Sequence, residues 1–429
     1  MRVIHFADLH IGVENYGRTL ADRGWSSRMQ DFLDAFDHLV EYATAERVDA
    51  VIFAGDAYKA REPSQTHQRE FASRIRRLSD AGIVTFLLVG NHDVSNAEGK
   101  ANALEIYRTL GVPNVVVGDN GWFNKKDDFR PPVLQTRSGP LQVAFLPWPQ
   151  VSRLLAADDV ASAMTIEQTH ELVEAKMTAL IKAQAECLDP DVPAILAGHV
   201  SLNTPLVRNN PGSEQWMTVG TAPTLLKSEL HEGYFDYIAL GHHHKNMQLE
   251  TQTPCWYAGS MQPVDFGEKD QDKGFMVFDI DATRGRGDRI GGSGLPRMEK
   301  VPARRFVFVE AKPREADPTP EVCAAIERAD IEDAIVRVTV DVTNEQSTAF
   351  RAPEVRRLLE RAHYFAGLTV QLPADTRSSL PLGEQPDSAS PLETLDTYLK
   401  LKFTTDDAHR TRLLRAAADL IAETEPAGA

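Results

Sequence analysis

The chain has 429 residues, 42% hydrophobic and 25% charged, with a formal net charge of -16. That is enough chain for two or three domains of ordinary soluble composition. It is too acidic to adhere to nucleic acid by bulk charge alone, so any DNA contact has to come from local basic patches or from a partner.

Residues 2–7 read as a buried strand, Val3, Ile4 and Phe6 among them, that delivers Asp8 and His10 to one face of an extended segment. Those two polar residues also interrupt the first ten positions, unlike a signal peptide, and no apolar run reaches membrane length. A cytoplasmic protein with no membrane contact is therefore expected. The spacing of Phe32, Phe36, Leu39, Val40 and Ala43 predicts a helix over 31–47. Strands at 50–54 and 83–89 follow, ending at Gly55-Asp56 and Gly90-Asn91-His92-Asp93. Alternating strand and helix, with polar residues at the carboxyl ends of strands, is the rhythm of an α/β layer.

The stretch 114–149 fits strands of a second sheet. Thr165 and Gln168 then form a capping box for a long helix that carries Ile166, Val173, Met177, Leu180 and Ile181 broadly along one face. A strand at 194–197 ends at Gly198-His199, and a strand at 237–240 ends at Gly241-His242-His243-His244. Strands at 255–258 and 274–280 complete the sheets, and the first domain, 1–300, closes after the Gly- and Arg-rich loop 284–294. Cys187, Cys255 and Cys323 are odd in number and far apart, against a disulfide framework or a Cys-based zinc site.

A smaller α/β unit, 301–373, is expected from strands at 306–311, 334–342 and 368–372 with helices opened by Thr319-Pro320 and Pro353. The Pro-, Ser-, Asp- and Gly-rich stretch 374–391 reads as a linker. Beyond it, a tail at 392–424 starts with Ser390, Pro391 and Glu393 as a helix cap. Leu392, Leu395, Leu399 and Phe403 form one stripe and Leu413, Leu414, Ala417, Leu420 and Ile421 a second; the two helices either dock back on the body or bind a partner helix, the latter being preferred.

Asp8, His10, Asp56, Asn91, His199, His242 and His244 all stand at or just past strand ends. Carboxylate and amide oxygens mixed with imidazoles, and no thiolates, suit Mn, Fe or Zn. The order D-x-H, G-D, G-N-H-D, G-H, G-H-x-H, spread over the first 245 residues, resembles the calcineurin-like metallophosphoesterases. Trp256-Tyr257-Ala258-Gly259-Ser260, Val264-Asp265-Phe266-Gly267-Glu268 and Lys273-Gly274-Phe275, with the small α/β unit and terminal helices, narrow the resemblance to the SbcD family of DNA-repair nucleases.

The resemblance implies an α/β sandwich of two β-sheets flanked by helices, with a capping domain and C-terminal helices that dock an SbcC-type SMC-like ATPase. It implies two divalent ions, expected to be manganese. Asp8, His10, Asp56 and His244 would hold one, Asp56, Asn91, His199 and His242 the other, with Asp56 as bridge. His92 would stabilise or protonate the reacting phosphate, and Asp93 would orient it. His243, between two ligands, should point away, into solvent or into packing behind them. Lys59 stands where several relatives carry a second active-site histidine; it can hold a phosphate but is a poor proton shuttle near pH 7.

Lys59 and Arg61, the cluster Arg69, Arg74, Arg76 and Arg77, the pair Lys125 and Lys126, and Arg284, Arg286 and Arg289 are the candidate cations for DNA, although a solvated helix face accounts equally for Arg74 to Arg77. A homodimer through helices of the first 120 residues, 97–110 included, is a further implication of the family. The rival readings are a small-molecule phosphodiesterase or phosphatase of the same superfamily, and a non-catalytic scaffold of the ATPase.

Overall fold

The computed structural model describes residues 1–95, 99–122, 129–150, 165–209, 224–372, positions 392, 395, 396 and 399, and the helix 407–424 with side chains at 410–418. Ala97, Lys125, Lys126, the 374–391 linker with Ser390 and Pro391, Glu393, Phe403 and the side chains of Leu420 and Ile421 lie outside the described residues. No described helix is long and apolar enough to cross a membrane.

The chain begins with β1 (Arg2–Phe6), α1 (Ser27–Ala45), β2 (Ala50–Phe53), α2 (Gln65–Asp80), β3 (Val84–Leu88), α3 (Glu105–Thr109) and β4 (Val115–Gly118). It continues with β5 (Val133–Thr136), β6 (Gly139–Leu146), α4 (Ile166–Glu186), β7 (Ala194–His199), the short β8 (Ser201–Leu202) and β9 (Thr224–Leu225), and β10 (Tyr237–Gly241). Then come β11 (Met247–Leu249), β12 (Cys255–Tyr257), β13 (Gly274–Asp279) and β14 (Arg297–Lys300). Two six-stranded sheets result, in the orders β14-β13-β1-β2-β3-β4 and β11-β12-β10-β7-β6-β5.

Strands β1 to β4 run parallel, as do β6, β7, β10 and β12. Strands buried on both faces need apolar side chains on both, which is why they read as continuous hydrophobic runs. Alternation still sorts the faces. Val3, Ile52 and Phe86 meet Val143, Ile195 and Ala239 between the sheets, while Ile4, Phe6, Val51 and Phe53 turn out against α1 and α2. On the far side Leu196, Ile238 and Leu240 pack on Val173, Met177 and Ile181 of α4. The whole is a helix–sheet–sheet–helix sandwich, and parallel strands place their carboxyl ends at one edge of it.

Element boundaries differ from the sequence expectation in instructive places. Helix α1 starts four residues before 31 because the Ser26 side chain accepts from the Arg28 N–H and caps it. The edge strand β14, Arg-Met-Glu-Lys, has no apolar alternation to announce it. Helix α2 buries only Phe71, Ile75 and Leu78 among its apolar residues, with Arg74. The Thr165–Gln168 capping box forms as expected.

By compactness the chain falls into two units: Met1–Val309 with Ile326–Arg337 and Arg356–Gly367, and Glu310–Ala325 with Val338–Val355 and Leu368–Ala429. A three-stranded sheet is formed by β15 (Phe306–Ala311), β16 (Ile335–Asp341) and β17 (Tyr364–Gln371), in that order. Its last strand begins four residues before the expected 368. A helix not foreseen, Asn344–Ala349, carries its own capping box from Thr343 and Gln346. Beyond the linker, Leu399 is buried and the helix Asp407–Thr424 is present.

One buried polar side chain finishes the second sheet. Strand β5 pairs with β6 in register as far as Gln142, and Val143 N–H makes one further bond, to Pro132 C=O at 3.0 Å. Farther along β6, Gln184 of α4 takes over: its amide oxygen accepts from Phe145 N–H at 3.0 Å and its amide nitrogen donates to Phe145 C=O at 2.9 Å. Gln184→Leu keeps the volume and orphans both groups; the expected loss is roughly 2–4 kcal/mol, measured as a shift of the urea midpoint at unchanged m-value.

Candidate metal centre

Five strand ends converge. Past β1 the backbone turns left-handed at Asp8 (φ 51) and again at His10 (φ 46); past β2 it does so at Asp56 (φ 65) and past β10 at His242 (φ 95). Non-glycine residues at such angles cost of order 1 kcal/mol or more each, and persist only when their surroundings over-determine them. Here the loops hold one another. Asp8 N–H donates to Gly55 C=O at 2.9 Å and His10 N–H to Asp56 C=O at 3.1 Å. His242 N–H is received by the Asp8 carboxylate at 3.0 and 3.1 Å.

Gly241 lets β10 come this close, since a Cβ there would stand 2.2 Å from Ala54 O and 2.9 Å from His199 Nδ1.

All seven expected ligand residues arrive at one place, none more than 8% exposed. His10 Nε2 lies 2.9 Å from His244 Nε2 and 3.8 Å from Asp56 Oδ2. His199 Nε2 is 2.9 Å from Asn91 Oδ1 and 3.4 Å from Asp56 Oδ2, and His242 Nδ1 is 3.2 Å from Asn91 Oδ1. Three sets of possible ligand atoms lie within 4.8 Å of one another: Asp8 with His10 and His244; Asp8 with Asp56 and His199; and His10 with Asp56 and His92.

Imidazole nitrogens pointed at each other and at carboxylate oxygens, away from water, are donors arranged around a cation, and the chemistry of the set fits a divalent metal. His199 Nδ1 lies 2.7 Å from Ala54 C=O, which assigns its proton there and leaves the Nε2 lone pair facing Asn91 and Asp56.

The charges agree. Burial pushes the Asp8 carboxyl up to about 6, against the pull of His199 and His244. Burial would raise Asp56 as well, but His199, His92 and His10 hold it well below the usual carboxylate range. Burial would lower His199, yet the Asp56 and Asp8 carboxylates carry it up to about 9. His244 is likewise raised, against burial, by Glu268 and Asp8, whereas burial and the neighbouring imidazoles depress His242. The raised imidazoles thus balance the buried carboxylates, a task that a divalent cation would take over by displacing their protons.

The structure shows what several of these residues touch. The Asp93 carboxylate accepts from the backbone N–H groups of Asp56 (2.8 Å), Ala57 (2.9 Å) and Gly90 (2.9 Å). It therefore sets the loop that presents Asp56. The His92 ring is fixed by Lys59, whose backbone carbonyl lies 2.7 Å from Nδ1. Of the two alternatives expected for His243, packing behind its neighbours is the one found: it is buried, with Nε2 2.9 Å from Ser201 Oγ and its ring edge-on to Tyr257.

Lys59 is half-buried, and Arg61 is exposed on a surface cavity it shares with Gln68 and Lys100. Most of the other arginines are committed to structure. Arg74 and Arg77 pair with Asp37, Arg76 with Asp80 and Arg69 with Glu70. Arg284 pairs with Asp281, Arg286 donates to Asp189 C=O, and Arg289, itself buried, pairs with Asp236.

Two residues of the site are not evident from the sequence. Trp148, half-buried, sets its ring 5.0 Å from that of His242 and 6.0 Å from that of His199. Glu268 holds His244 Nδ1 at 2.7 Å. Glu268 closes the Val264–Glu268 motif, but nothing local ties it to a histidine 24 residues away.

A family model described as calcineurin-like phosphoesterase matches residues 1–246. The DNA double-strand break repair protein Mre11 of Halobacterium salinarum is 39% identical over 111 residues, 26% of each chain, so the match spans about a quarter of that relative. The SbcD component of the nuclease SbcCD in Rhodobacter capsulatus is 27% identical over 341 residues, 78% of this chain and 77% of that one. Its counterpart in Bacillus subtilis is 26% identical over 287 residues, 65% and 66% of the two chains.

The loop packing predicts a contrast between two glycines. Gly241→Ala drives a methyl into backbone and is expected to cost about 3 kcal/mol or more and to spoil binding of a divalent metal. Gly198→Ala meets only the flexible Leu240 Cδ2, at 3.1 Å, and should cost clearly less. Chemical denaturation and a manganese titration of each variant check the order.

Proposed function

The chain belongs to the calcineurin-like phosphoesterase family, and from that premise we propose that it is a metal-dependent DNA nuclease of a double-strand-break repair complex, working with an SbcC-type SMC-like ATPase. The observation that carries this reading is the convergence of seven buried residues with oxygen or nitrogen donors, Asp56 and six around it. Relatives named as SbcCD nuclease components, alignable over most of both chains, support DNA as the substrate.

In this reading Asp8, His10, Asp56 and His244 hold one divalent ion, and Asp56, Asn91, His199 and His242 hold the other; both ions are manganese. When bound, such a pair supplies Lewis acidity toward a phosphodiester and makes water a stronger nucleophile at neutral pH. The protein supplies placement and proton handling. His92 is fixed at Nδ1 by the Lys59 carbonyl, so Nε2 is the nitrogen that exchanges a proton with the leaving oxygen. Its backbone N–H donates to Asp56 Oδ1 at 2.8 Å, which ties the proton carrier to the bridging carboxylate. Asp93 holds the same loop, a positioning role.

The Lys59 and Arg61 side chains serve the DNA backbone as cations. Residues 1–300 form the nuclease domain and 301–373 the capping domain. The helices of 392–424, beyond the 374–391 linker, bind the ATPase. The chain acts in the cytoplasm as a homodimer, for which the exposed Ile106 and Leu110 offer apolar surface.

Asp56→Ala is expected to abolish manganese-dependent cleavage of linear DNA, and His92→Ala to lower it by about 10²–10⁴-fold, with far-UV circular dichroism unchanged in both. Full activity in either variant would sink the mechanism. Deleting everything after residue 391 should leave basal cleavage intact and remove capture of the ATPase in a pull-down; retention of the ATPase by the shortened chain would reassign the docking site.

A further inference from the structure

His244 is held at both its ring and its backbone by one closed set of side chains. Its Nδ1 meets Glu268 Oε1 at 2.7 Å. The other oxygen of that carboxylate receives Lys273 Nζ at 2.7 Å, Val264 N–H at 3.2 Å and Ser260 Oγ at 3.3 Å. Lys273 Nζ then returns to the starting residue, donating to His244 C=O at 3.0 Å, and also reaches Ser260 Oγ at 2.8 Å and Gln271 Oε1 at 3.0 Å. The loop from ring to carboxylate to ammonium to carbonyl thus begins and ends on one residue. Glu268 is 2% exposed and Lys273 3%.

The local sequence builds this clamp. The Asp265 side chain accepts from Gly267 N–H at 2.8 Å and winds the short turn that aims Glu268 inward. Gly259 allows the strand exit to pass against the histidine loop: a Cβ there would lie 2.8 Å from His244 O. Lys273 sits just before β13 begins at Gly274.

A buried ion pair seldom stabilises a fold more than apolar residues of the same volume would. Its presence directly behind a ligand therefore needs another explanation. A carboxylate on the far nitrogen of a ligating imidazole fixes its tautomer and aim. A lone carboxylate would also add charge to a centre that already contains Asp8 and Asp56; the ammonium cancels it.

We infer that Glu268 and Lys273 are positioning residues for His244, which aim its Nε2 at His10 and Asp8 and set the affinity of that one ion site without altering the net charge around it. The inference rests on the reading of His244 as a metal ligand.

The test is a manganese titration of the full-length chain, followed by electron paramagnetic resonance, which distinguishes a coupled ion pair from an isolated ion. Wild type should bind two ions and show the coupled signal. Glu268→Gln should keep one ion at wild-type affinity and bind the other about 10–100-fold more weakly, so that an isolated-ion signal appears at concentrations that saturate wild type. Should that variant fold poorly with Lys273 left unpaired, Glu268→Gln with Lys273→Met removes both charges, and the same selective weakening is expected.

Unchanged affinity for both ions would overturn the inference. Equal weakening of both would do so too, since it marks a merely structural role. A wild-type chain that binds fewer than two ions overturns the inference together with the two-ion reading. If wild type binds two ions, cuts no DNA, and Glu268→Gln still weakens one site alone, the clamp stands and only the nuclease reading falls.

Discussion

Asp56 keeps a negative charge in a place almost closed to water, with 1% of its surface exposed. An ionised carboxylate so placed is costly unless opposite charge and hydrogen bonds surround it, and the neighbouring loops supply both. His199, His10 and His92 lie around the carboxylate. The His92 N–H reaches Oδ1, and Asp93 takes the backbone amides of Asp56 and Ala57. Apart from the Asn91–Asp93 run, these groups come from distant parts of the chain. The two sheets exist, in functional terms, to bring their carboxyl ends to this charge.

That dependence explains the backbone strain. Left-handed angles at Asp8, His10, Asp56 and His242 turn the chain sharply just past the strand ends, and these side chains are buried together there. Bonds between the loops hold these angles: Asp8 N–H on Gly55 C=O, His10 N–H on Asp56 C=O and His242 N–H on the Asp8 carboxylate. Preformed sites bind with less reorganisation and hold reacting groups in register.

The strands and the ligands are legible in the sequence for one reason. Fully buried parallel strands leave uninterrupted apolar runs, and a polar residue directly after such a run has to be at a strand end. The seven residues expected as ligands can be collected on that basis, and the motif order makes the family recognisable. What holds the ligands is not legible, because it is non-local. Asp93 looks like a partner of its neighbour His92, whereas two of the amides it accepts from lie 36 and 37 residues away. Glu268 and Lys273 carry no sign of burial in their local sequence, and only the fold brings them behind His244. The basic clusters are ambiguous for the same reason, since a count of arginines says nothing of the aspartates that face them across a fold, such as Asp37 against α2 and Asp236 against Arg289.

The glutamine that bonds to Phe145 has a meaning apart from stability. An unpaired stretch of strand at the end of a sheet invites another chain to add itself there, the route by which many β-rich proteins aggregate. By presenting an amide that imitates the next strand's peptide, Gln184 blocks that edge with a single side chain. The molecule thereby guards itself against unwanted fibre-like self-association where β5 is too short to do so.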